Sequence, residues 1–69
     1  MNDQNALRLA AHGKAEQMWA TMTKNEKVGV RFGMFPAAKM QAAVSEGHDS
    51  KEISVALMNC AEKDGGMRA

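Results

Sequence analysis

The sequence predicts an all-α fold, a small bundle of three to four short helices in a single domain spanning residues 1–69. Three observations carry that expectation. Apolar residues recur every three or four positions near both ends of the chain, helix-capping patterns occur at Thr23 and Asp49, and Pro36 and Gly47 punctuate the middle.

Asn2-Asp3 is placed to cap a first helix running to about Met22. Leu7, Ala11, Ala15, Met18 and Met22 follow the spacing of one helical face, with Trp19 beside it and Arg8, Lys14, Glu16 and Gln17 mostly off it. Gly13 interrupts this helix at a cost of about 1 kcal/mol relative to Ala. His12 next to it reads as a surface residue.

Thr23-Lys24-Asn25-Glu26 has the form of a capping box, in which the Thr hydroxyl and the Glu carboxylate satisfy each other's backbone amides. A second helix is therefore expected from about Lys24. On it Val28 and Phe32 are one turn apart, as are Val30 and Met34, and so are Gly29 and Gly33, a pair that would let another helix approach closely. A strand competes for the same residues. Val28, Val30, Phe32 and Met34 alternate with Gly29, Arg31, Gly33 and Phe35, the period of a half-buried strand, and its only pairing partner would be a second copy of the chain.

Phe35-Pro36 ends this segment, because the residue before Pro is pushed out of helical geometry. Pro36 suits the first position of a third helix, expected to run to about Glu46 with Met40, Ala43 and Val44 as its apolar face and Gly47 as its stop. Asp49 with Glu52 is a second capping-box arrangement, opening a fourth helix to about Lys63 whose buried stripe is Ile53, Ala56, Leu57, Cys60 and Ala61. Asp64-Gly65-Gly66 ends it, and the tail 64–69 is expected to fray.

A chain of 69 residues has a thin core. Cys60 is its only cysteine, so no internal disulfide closes. His12, His48 and Cys60 are not at metal-ligand spacing. Neither a metal nor a cofactor is expected, and self-association, a homodimer, is the remaining source of stability. The net charge is +1, less basic than is usual for a dedicated nucleic-acid binder. No stretch approaches the roughly 20 apolar residues of a membrane span. The polar opening Met1-Asn2-Asp3-Gln4 lacks the layout of a secretion signal, and the lone thiol suits a reducing compartment, so a cytoplasmic location is expected.

Catalytic constellations are missing from the pattern. Gly29 and Gly33 are not followed by the Lys-Ser/Thr of a phosphate loop, no spacing pairs two carboxylates for acid–base work, and His48 and Cys60 form no nucleophile–base couple. The expectation is a non-enzymatic protein that binds a protein partner or itself. The stretch Arg31 to Met40 is the candidate contact surface, through Arg31, Phe32, Met34, Phe35, Lys39 and Met40, with Trp19 as a second anchor. The same aromatic residues would serve equally well as core.

Binding to DNA is the alternative. Ala43, Gly47 and Ile53 fall at helix-turn-helix offsets, which would offer Lys51 and Ser54 to a groove. Lys27-Val28-Gly29-Val30-Arg31-Phe32 and Ser50-Lys51-Glu52-Ile53-Ser54-Val55-Ala56-Leu57 resemble the ribbon strand and second helix of ribbon-helix-helix repressors. That resemblance implies a dimer with an extra N-terminal helix, a two-stranded ribbon shared between subunits, and Lys27 and Arg31 pointing into the major groove. The segment Val30 to Met40 and the ending Met58 to Met67 also look like small accessory proteins of temperate enterobacterial phages and prophages. This second resemblance implies an accessory or regulatory protein that contacts a host or phage protein.

Overall fold

The computed structural model describes residues 3–64. They form α1 (Asp3–Thr21), α2 (Lys24–Arg31), α3 (Ala37–Ser45) and α4 (Ser50–Lys63), with no strand among the described residues. The organising element is α4, which packs along α1 and receives both α2 and α3 on its remaining surface. Two ion pairs show that α1 and α4 run in the same direction. Arg8 meets Glu52 near the start of α4 at 3.9 Å, and Glu16 meets Lys63 at its end at 3.7 Å.

On α1, Ala11, Ala15, Met18 and Met22 are buried as the periodicity requires, and Trp19 joins them. Leu7 is not, although it falls on the same stripe. It lies just before Arg8, level with the beginning of α4, where the opposing helix has barely started. On α4 the buried stripe is Ile53, Ala56, Leu57 and Ala61, with half-buried Cys60 packed at its margin. Both buried stripes are rich in alanine, Ala11 and Ala15 on α1 and Ala56 and Ala61 on α4, so each buried side chain removes little apolar area from water. Ile53, Leu57 and Val30 are the largest fully buried side chains.

The Thr23 capping box forms in full. The Glu26 amide donates to the Thr23 hydroxyl at 3.1 Å and the Thr23 amide donates to the Glu26 carboxylate at 3.0 Å. That amide bond, with the nearby Lys39 ammonium, holds the Glu26 carboxyl below its ordinary value. Its contribution to stability is thus present above the unfolded value and is lost as pH falls through the folded one. This local nucleus explains why Lys27 to Arg31 is helical rather than the ribbon strand that the alternation of Val28, Val30, Phe32 and Met34 offers. A strand here has no partner in the chain, whereas the helix satisfies its first amides at once.

The end of α2 accounts for both of its glycines. Gly33 takes φ +81°, its amide donates to the Val30 carbonyl at 2.9 Å, and the Met34 amide donates to the Gly29 carbonyl at 2.8 Å. This is a Schellman turn. A Cβ on Gly29 would sit 3.1 Å from the Met34 carbonyl oxygen. What approaches Gly29 is therefore the chain's own turn, not the partner helix expected from the Gly29/Gly33 spacing. Pro36 stands one position earlier than expected, as the N-cap of α3.

The same terminator recurs after α3. Gly47 has φ +103°, its amide donates to the Val44 carbonyl at 2.9 Å, and the His48 amide donates to the Ala43 carbonyl at 3.1 Å. No other atom crowds this glycine, so Gly47→Ala isolates the backbone term. It is expected to cost about 1–2 kcal/mol, read as a lower urea midpoint at unchanged m-value. A variant as stable as the parent would show that the turn relaxes freely. On α3 the buried face is narrower than expected: Ala43 is buried and Met40 packs against the core, but Val44 turns toward solvent. The second capping box forms only in its forward half. Asp49 accepts from the Glu52 amide at 3.1 Å, while the Glu52 carboxylate is drawn to Arg8. Asp64 follows α4 as its C-cap, and the rest of the expected tail, 65–69, lies outside the described residues.

Candidate protein-binding surface at the turn between α2 and α3

The Schellman turn divides the stretch Arg31 to Met40 into two populations. Phe35 and Met40 are half-buried against the core. Phe32 and Met34 are turned outward, 76% and 67% exposed. The left-handed conformation of Gly33 causes the split, because it redirects the chain between two residues that an uninterrupted helix would have placed elsewhere. A Schellman turn usually carries an apolar contact between the residue after the glycine and a side chain one turn back in the helix. Here that earlier position is Gly29, which has no side chain, so Met34 has nothing beneath it.

Val28, one helical turn before Phe32, is also exposed. Its position beside Phe32 on one helix face extends the apolar surface beyond the residues that the sequence singles out, and the three-four periodicity was the signal that could have found it. Arg31 is half-buried, and its Nε is buried without a hydrogen-bond acceptor. Lys39 is turned back to Glu26, Nζ to Oε2 at 3.5 Å, and serves the fold more than the surface. Trp19 is 9% exposed and belongs to the core, with the Lys27 ammonium 5.2 Å from its ring centroid in a cation–π contact.

The residues named for DNA do not come together as one reading surface. Lys27 is engaged with Trp19. Lys51 is exposed on the first turn of α4, but Ser54 next along donates its hydroxyl to the Ser50 carbonyl at 2.9 Å. Beyond them the outward face of α4 carries Val55 and Met58.

Open clefts also lie on the surface of the described residues. One, of about 280 Å³, is lined by Glu16, Trp19, Cys60, Lys63 and Asp64. Another, of about 270 Å³, is lined by Lys14, Gln17, Met18, Thr21, Lys39 and Ala42. In the first, burial together with the Glu16 and Asp64 carboxylates pushes the Cys60 thiol above its ordinary value, against the lowering effect of Lys63. The thiolate that a nucleophile needs is therefore disfavoured. Among the described residues no three His, Cys, Asp or Glu side chains converge where a metal ion could sit, and no helix is long and apolar enough to cross a membrane. Comparison with protein-family models, curated proteins and solved structures found no match to this chain.

Proposed function

We propose that the protein is a non-enzymatic binding module that docks on another protein, or on a second copy of itself, through the apolar turn formed by Phe32 and Met34. The observation that carries this reading is the outward placement of both side chains by a hydrogen-bonded turn. Aromatic residues, Met and Arg are enriched in the cores of protein interfaces, and Arg31, Phe32 and Met34 stand together here. Two hydrogen bonds fix the backbone beneath them, so less conformational freedom is lost on binding than from a floppy loop. An accessory or regulatory role, in the manner of the small phage proteins that Val30 to Met40 resembles, is in keeping with this binding role.

A photo-crosslinking residue at position 32, compared with one at exposed Gln41 on α3, tests the proposal in the cells that express the protein. A discrete adduct from position 32 alone is expected, lost when Met34→Ser is added. Sedimentation of the purified chain then assigns the adduct to a second copy or to a different protein. Equal labelling from both positions, with a monomer in the centrifuge, would overturn it.

A further inference from the structure

The charges of this chain are unevenly paired. Arg8, Lys14, Lys39 and Lys63 each face a carboxylate, at 2.9–3.9 Å. Among the described residues, Lys24, Lys27, Arg31 and Lys51 face none. Three of these four lie on α2, a helix of 8 residues. Their spacings of three and four put Lys24, Lys27 and Arg31 on one stripe. Val28 and Phe32 form the adjoining stripe, and Met34 lies just beyond it. Glu26, the only acid of α2, is occupied elsewhere, by the Thr23 amide and by Lys39. The near-neutral balance of the whole chain thus hides a short basic helix bordered by exposed apolar side chains.

We infer that this surface receives an acidic, apolar segment of a partner protein. Carboxylates of that segment meet Lys24 and Arg31, with Lys27, held 5.2 Å from the Trp19 ring centroid, adding to the positive field, and its apolar side chains cover Val28, Phe32 and Met34. The inference rests on the docking surface proposed above and adds the chemistry of what docks. Charge complementarity names the partner's sign, and the neighbouring apolar residues select protein over the other polyanions. Interfaces with nucleic acid are more polar and far more positive than a surface holding Phe32 and Met34. Anionic membranes are read by clusters of about 4–8 basic residues, more than α2 carries.

The test uses the full chain and a panel of labelled amphipathic peptides of about four helical turns, with Glu and Asp on one face and Leu and Phe on the other. A twin panel carries Gln and Asn in place of the acids. Saturable binding to the acidic panel is expected, at least tenfold weaker for the twins and falling with added salt. Lys24→Gln and Arg31→Gln are each expected to weaken it by about 2–5-fold, with helicity checked by circular dichroism. Lys24→Glu, at an exposed position outside any ion pair, keeps the test decisive should the Arg31 variant unfold. Equal binding of both panels, or indifference to Lys24→Glu, would remove the acidic partner while leaving apolar docking intact. Indifference to Phe32→Ser would instead remove the docking surface itself. Binding of neither panel, or tighter binding to phosphatidylserine vesicles or to duplex DNA, also overturns the inference.

Discussion

Leu57→Ala is expected to remove about half or more of the folding stability of the chain. Leu57 is fully buried in the middle of α4, the helix against which α1, α2 and α3 all pack. Its side chain is one of three large ones sealed from water, beside Ile53 and Val30. Much of the remaining core is Ala11, Ala15, Ala43, Ala56 and Ala61, which have no length with which to close a cavity. Truncating a buried Leu typically costs about 2–5 kcal/mol. Stabilities of roughly 0.05–0.15 kcal/mol per residue imply a total of only about 3–10 kcal/mol for a chain of 69 residues. The substitution therefore removes a large fraction of the total. In urea, followed by circular dichroism at the helix band, the midpoint should fall by about half or more. Leu9→Ala is the control, because Leu9 is 72% exposed and should change stability by no more than about 0.5 kcal/mol. A Leu57 variant that unfolds with the control would mean that α4 is not the centre of the core.

Local signals in the sequence were the most legible, and the reason is that they act over a few residues. Thr23 with Glu26, Asp49 at the start of α4 and Gly47 at the end of α3 each complete their hydrogen bonds within one turn, so no distant partner has to be known. The stripes of α1 and α4 were legible because each helix has one broad neighbour and hence one buried side. The misreadings lie where tertiary geometry decides. Leu7 has the right period but lies where α4 has only begun, and Val44 has it on a helix that meets the core through Ala43 and Met40 alone. The alternation from Val28 to Met34 imitates a strand because Gly29 and Gly33 fall between apolar residues, yet each glycine is there to make the turn that ends a helix. Which of Phe32 and Phe35 faces inward could not be read from periodicity, since it depends on the left-handed step at Gly33 between them. The basic stripe of α2 was equally hidden. Lys24, Lys27 and Arg31 have helical spacing, but only the structure shows that Glu26 turns to the Thr23 amide and Lys39, and that Glu16, Glu46 and Glu52 face other cations.

That division between the two phenylalanines leads to the second large effect. Phe32→Ser should fold as well as the parent and lose docking, whereas Phe35→Ser should unfold more easily before docking can be asked about. Phe32 gives up little by substitution, because in the free protein its ring already stands in water; its thermal midpoint should move within the small range typical of surface changes. If its ring fills a pocket on the partner, truncation costs about 2 kcal/mol or more of binding, a loss of roughly 30-fold or greater in affinity. Phe35 packs against the core at the start of the segment that leads through Pro36 into α3. Replacing it by Ser removes that packing and places a hydroxyl against an apolar surface, at a cost approaching the roughly 3–5 kcal/mol of large aromatic truncations and reduced by its partial exposure. Thermal melts and binding curves on the two variants separate core from interface without knowledge of the partner's identity. A destabilised Phe32→Ser would return its ring to the core and remove the apolar anchor from the proposed surface. A stable Phe35→Ser with lost docking would move that anchor three residues along the chain, to the other side of the turn.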